Sequence, residues 1–118
     1  MMEENKTLDR LLFAILRKDD YDETVAQLNS RGFFVTKLSS SGGFLKKENV
    51  TLMLGVESGR LDEAVEILKT FAGHRRSQTY VMPTPGAGNV YVGSAVPVEV
   101  DVGGVTIFTM KLEAFQKL

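Results

Sequence analysis

The chain contains no cysteine and no tryptophan, and only one histidine and three prolines among its 118 residues. Without cysteine there can be no disulfide, no thiolate metal site and no cysteine nucleophile, a composition that fits a reducing compartment, and the expected location is the cytoplasm. A single histidine leaves little for general acid–base work, and no spacing of histidines and carboxylates matches a zinc or two-metal site. Charge of one sign is also missing. Fourteen basic and fifteen acidic residues give a formal charge of −1, which excludes the strongly basic surface of a general nucleic-acid binder. Apolar runs are too short to cross a bilayer, and the polar start from Met1 to Arg10 does not read as a signal peptide. The length suits one domain, residues 1–118, large enough for its own core and small enough for assembly to matter.

The most specialised stretch is Phe33 to Asn49, which runs from a strand-like segment through Ser39-Ser40-Ser41-Gly42-Gly43 to Phe44-Leu45-Lys46-Lys47-Glu48-Asn49. One reading is a wet β-hairpin whose glycines supply positive φ. The other is a small-ligand loop in which glycines admit a ligand to the backbone, N–H groups and hydroxyls meet phosphate oxygens, and Phe44 offers a stacking face. No Walker spacing is present.

Residues 1–9 are charged and aperiodic and are expected to form a disordered lead-in. Leu11-Leu12-Phe13-Ala14-Ile15-Leu16 is a continuous apolar run, too short for an ordinary helix and expected as a central strand covered on both faces. Asp20 and Glu23 stand at capping-box spacing ahead of a helix with Tyr21, Val25 and Leu28 on one stripe and Gly32 as its stop. A second buried strand is expected over Val50–Val56, where Gly55 marks a bulge or a close approach by a ligand or another backbone. Ser58 is the expected cap of a second helix. In it Leu61, Ala64, Val65, Leu68, Phe71 and Ala72 fall at offsets 0, 3, 4, 7, 10 and 11, the clearest amphipathic stripe in the chain.

The two halves repeat. Tyr21-Asp22-Glu23-Thr24-Val25-Ala26-Gln27-Leu28 lines up with Leu61-Asp62-Glu63-Ala64-Val65-Glu66-Ile67-Leu68 at a spacing of forty residues, each preceded by an apolar strand and followed by glycine and another strand. Two copies are too few for a solenoid. A duplicated βαβ unit instead predicts an α+β, ferredoxin-like antiparallel sheet with both helices on one face. Ser77–Met82 is the fourth strand of that scheme, ended by Pro83. Residues 83–95 form a long Pro/Gly loop that exceeds what a connection needs, read either as flexible excess or as a lid or partner-contact segment. Val96, Val98, Val100 and Val102 then alternate with Pro97, Glu99 and Asp101. Gly103-Gly104 reads as the turn of a C-terminal β-hairpin returning through Val105–Met110, and residues 112–118 as one or two helical turns.

Catalysis has little to draw on. His74, beside Arg75 and Arg76 past a helix end, is accounted for by the helix dipole, and Asp22, Glu23, Asp62 and Glu63 by first-turn positions. A non-enzymatic protein is expected.

Taken together, Val35-Thr36-Lys37-Leu38, Gly42-Gly43-Phe44-Leu45 with Asn49, Gly55-Val56, Arg60-Leu61-Asp62-Glu63, and Pro97–Gly104 followed by Val105, Phe108 and Met110 resemble the PII-like cyclic di-AMP receptor family from about Leu12 to Phe115. No cofactor, no membrane insertion and no nucleic-acid polymer as partner are expected, and the resemblance implies a PII-like homotrimer. It also implies a nucleotide bound in clefts between subunits, and a partner protein that reads the long loop is expected. Carried over by position, Thr36 would hydrogen-bond the ligand, Asn49 would read an adenine edge and Gly55 would offer backbone. Gly42, Gly43, Phe44 and Leu45 would cradle the ligand, and Phe108 would line the base pocket. The sequence departs from that pattern at Phe34 and Lys46, where the family carries arginines, at Glu48 in place of a small residue, and at Lys117 in place of a glutamine. These departures leave a second expectation: a PII-like interaction module that has lost cyclic di-AMP binding or binds another small anion.

Overall fold

Arg10–Arg17 forms β1, and its alternation sets the layers of the molecule. Leu12, Ala14 and Leu16 are fully buried, whereas Leu11, Phe13 and Ile15, on the opposite side of the pleat, are only half-buried. In the computed structural model, which describes residues 7–38, 49–81 and 95–118, the remaining elements follow in order. They are α1 (Tyr21–Ser30), β2 (Val35–Leu38), β3 (Asn49–Val56), α2 (Leu61–Ala72), β4 (Arg75–Val81), β5 (Val96–Val102) and β6 (Val105–Lys111).

The main sheet has the order β2-β3-β1-β6, and each of its pairings is antiparallel. Its core face carries Leu12, Ala14, Leu16, Leu52, Leu54 and Val56. Against these pack Leu28 of α1 and Ala64, Ile67, Leu68 and Ala72 of α2. The α2 stripe read from sequence therefore faces the core, with Ile67 added to it. An α+β chain with two helices and antiparallel sheets is the expected class, consistent with a ferredoxin-like arrangement.

Two expectations about the second half are corrected. The strand over 75–81 does not enter the main sheet, and β5 and β6 do not form a hairpin: β4 pairs with β5 in a separate two-stranded ribbon, while β6 pairs with β1. Gly103 and Gly104 turn the chain from one sheet to the other. Gly103 has φ +80, and a Cβ there would collide with the Gly73 carbonyl oxygen, while the Gly104 N–H donates to the Ala72 oxygen at 2.8 Å. Anchoring to the end of α2 carries the outgoing strand away from its predecessor. Valine alternation fixed the two faces of β5 but said nothing about its neighbour. Residues 112–118 hold no helix and are exposed apart from Leu112, whose N–H donates to the Asp9 oxygen.

The helix ends also differ in detail. Gly32 closes α1 at φ +87, with Phe33 N–H donating to Leu28 O and Gly32 N–H to Asn29 O, the paired bonds of a Schellman stop. The Asp20 carboxylate makes no cap bond. It accepts instead from Arg75, at 2.7 Å from Nη2 and 3.3 Å from Nη1, and so ties the root of the ribbon to the start of α1. Ser58 lies in a single 3-10 turn before α2 rather than capping it, and its N–H donates to Asp9 Oδ1 at 2.7 Å. Between the helices, Glu63 accepts from Arg60 at 3.0 Å and Arg31 at 3.3 Å. These bonds hold its carboxyl below the ordinary carboxylate range, Arg60 contributing most.

Two substitutions test this packing. Thr24 is fully buried, and its hydroxyl has no hydrogen-bond partner. Thr24→Val, of nearly the same shape, is expected to raise stability by about 1 kcal/mol in urea unfolding, because an unsatisfied polar group is removed. Gly103→Ala is expected to cost at least about 1–2 kcal/mol in the same measurement, since it adds left-handed strain to the collision with Gly73.

Candidate functional site

The face of the main sheet away from the helices is built from alternate residues of four strands. Cross-strand register arranges it in rows: Leu38–Thr51–Ile15–Thr106, then Thr36–Met53–Phe13–Phe108, then Gly55–Leu11–Met110. Paired residues of neighbouring strands point to the same side, so these rows form one continuous surface. It is largely apolar and incompletely covered: Phe108 is 53% exposed, Met110 42% and Leu38 38%. A contiguous open apolar face of this kind marks a contact surface rather than a solvent surface. The expectation that β1 is covered on both faces is met, among the described residues, on one face only.

All four described candidate ligand residues belong to this face. Thr36 lies on the edge strand β2, Asn49 and Gly55 at opposite ends of β3, and Phe108 on β6 at the other edge of the sheet. Register brings Thr36 beside Met53, and Gly55 follows Met53 two residues on along the same face of β3. The remaining separations are large. Thr36 and Phe108 are three strand spacings apart, about 14 Å, and six residues of extended chain put Asn49 and Gly55 about 20 Å apart. No compact ligand resting on one chain reaches all four. Gly42, Gly43, Phe44 and Leu45 lie outside the described residues, as do Lys46, Lys47, Glu48 and residues 83–94 of the long loop.

Gly55 acquires a local explanation that the sequence reading lacked. Leu8, assigned there to a frayed lead-in, lies over it: an alanine methyl at position 55 would stand 3.2 Å from Leu8 Cδ1. The neighbouring Asp9 holds this approach in place. Its N–H donates to the Val56 oxygen at 3.1 Å, its carboxylate accepts from Ser58 N–H, and its carbonyl accepts from Leu112 N–H. The close approach at Gly55 is thus made by the chain's own Leu8.

Sequence reasoning also missed Met53 and Phe13 as the centre of the open face. The signal was available in the odd-numbered positions of both apolar runs, but a continuous run hides which half of it faces outward. His74 is exposed and lies 3.6 Å from Asp101 at the root of the ribbon, remote in the chain from the candidate residues. Among the described residues no cluster of histidine and carboxylate suits a metal ion, and no helix is long and apolar enough to cross a membrane.

Comparison with known proteins places these observations. The cyclic-di-AMP receptor family model matches residues 9–118. Among solved structures, a functionally unknown protein from Pediococcus pentosaceus ATCC 25745 is similar over 94% of this chain and 98% of its own, at 29% identity and a TM-score of 0.71.

The contact at Gly55 can be checked by a double-mutant cycle. Gly55→Val is expected to destabilise the protein by about 1–3 kcal/mol through overpacking. In a Leu8→Ala background the penalty should shrink by at least half, and equal penalties in both backgrounds would separate the two residues.

Proposed function

The chain belongs to the cyclic-di-AMP receptor family, and from that premise we propose that it is a non-enzymatic receptor. In this reading it binds cyclic di-AMP, or a related adenine nucleotide, in clefts between the subunits of a PII-like homotrimer. One observation carries the proposal: the four described candidate residues, Thr36, Asn49, Gly55 and Phe108, share a single open face but are too widely spaced on it to meet within one subunit. A cleft between copies gathers them, with the β2–β3 side of one subunit facing the β6 side of another. The apolar rows through Leu11, Phe13, Ile15 and Met53 supply the surface that such an assembly buries.

In this reading Thr36 donates or accepts a hydrogen bond, Asn49 pairs with an adenine edge through its amide, and Gly55 contributes backbone only. Phe108 packs against a base, and Gly42, Gly43, Phe44 and Leu45 close the cleft. Ligand binding rearranges the 83–95 loop and so alters a surface recognised by a partner protein. The family supports a binding protein rather than a catalyst.

A second reading has its own support. Phe34, Lys46, Glu48 and Lys117 depart from the resembled pattern, and Leu8 already fills the approach to Gly55. These features favour a trimeric module that has given up cyclic di-AMP and holds another small anion or a protein.

Calorimetric titration with cyclic di-AMP, cyclic di-GMP, ATP and ADP separates the two readings. Heat with cyclic di-AMP supports the receptor, and none up to millimolar ligand rules it out. Thr36→Ala and Asn49→Ala should each weaken binding by about 1–3 kcal/mol through lost polar contacts. Native mass spectrometry of both variants should still show a trimer. A monomeric wild-type protein at micromolar concentration would exclude the intersubunit cleft.

A further inference from the structure

The β1–β3 register places a cation beside the residue proposed to read adenine. Arg17, the last residue of β1, is the cross-strand partner of Asn49, the first residue of β3. The pairing puts their Cα atoms about 4.5–5.5 Å apart with both side chains on the same side of the sheet. That side is the open face, since Leu16 is fully buried in the core and Ile15 and Arg17 alternate away from it. The backbone of Arg17 remains extended, at φ −74 and ψ 142, so the alternation holds to the end of the strand.

Arg17 is exposed, and among the described residues no carboxylate pairs with it. The other five arginines are all engaged. Arg10 pairs with Asp9, Arg31 and Arg60 with Glu63, Arg75 with Asp20, and Arg76 with Glu99 and Asp101. Lys37 is drawn to the helix side of β2, over the Tyr21 ring at 4.8 Å. Arg17 is therefore the arginine left to serve a ligand at the Asn49 end of the open face. Its planar guanidinium presents paired donors suited to a phosphodiester oxygen pair.

We infer that Arg17 is an anion-binding and specificity-determining residue of the proposed nucleotide cleft, holding a phosphate of the ligand whose base is read by the adjacent Asn49. The inference rests on the receptor reading above. It also bears on Phe34, which stands just before β2 where the resembled family carries an arginine: a guanidinium from β1 takes up the charge that position 34 does not supply.

The test compares a charged ligand with an uncharged one. Wild type, Arg17→Gln and Arg17→Lys are titrated calorimetrically with cyclic di-AMP and with adenosine, at low and high NaCl. Arg17→Gln should weaken cyclic di-AMP binding about tenfold, leave adenosine binding within about twofold, and flatten the dependence on NaCl, because the lost contact is ionic. Arg17→Lys should recover part of the affinity as a point charge. An unchanged thermal midpoint for Arg17→Gln shows that the loss is not one of folding. If wild type binds cyclic di-AMP and Arg17→Gln binds it equally well, the assignment of Arg17 is wrong and the receptor reading stands. Equal weakening toward adenosine likewise overturns an ionic role. If the wild-type protein binds no cyclic di-AMP at all, the receptor reading fails and the role of Arg17 falls with it.

Discussion

The structure depends on β1 being hydrogen-bonded along both of its edges. With β3 on one side and β6 on the other, its pleat divides one apolar run into two populations. Leu12, Ala14 and Leu16 lock the helices to the sheet, and Leu11, Phe13 and Ile15 are left on the far side. Because the side-chain period in a strand is two, a slip of one residue in either pairing would exchange these sets. The register that builds the core is therefore the same register that builds the open face and sets Thr36, Asn49, Gly55 and Phe108 on it.

Away from that centre the molecule is tied by a few polar contacts at chain corners. Asp9 joins the entry of β1 to the end of β3, to the turn before α2 and to the exit of β6. Asp20 joins the start of α1 to the root of the β4–β5 ribbon through Arg75. Both aspartates lie where a sequence reading assigns them other roles, one in a loose tail and the other in a capping box. For Asp20 a tertiary donor outcompetes the local one, because a partly buried carboxylate gains more from an ionic donor than from a wet first-turn amide.

The ribbon shows how far local pattern carries. Valines at 96, 98, 100 and 102 opposite Glu99 and Asp101 specify a two-faced strand, and β5 is one, with Arg76 of β4 pairing to both acids across the ribbon. The same pattern cannot name the neighbouring strand. Gly103-Gly104 has the composition of a hairpin turn, yet its contacts with Gly73 and Ala72 convert it into a corner between sheets. Strand identity is a property of short-range alternation, whereas strand pairing is decided by where distant backbone groups find partners.

What the sequence by itself determined was the element order, the core stripe of α2, the left-handed stop at Gly32, and the family to which the chain belongs, since separated motifs could be read without coordinates. It also marked Gly55 as a bulge or a close approach by a ligand or another backbone, whereas the approach there is made by a side chain. Only the tertiary structure decided that Leu8 makes that approach, that β6 rather than β4 completes the main sheet, and that the described candidate residues share a face without meeting. The physical reason is the same throughout: periodicity reports which side of an element is apolar, but burial and distance depend on register and on contacts between residues far apart in the chain.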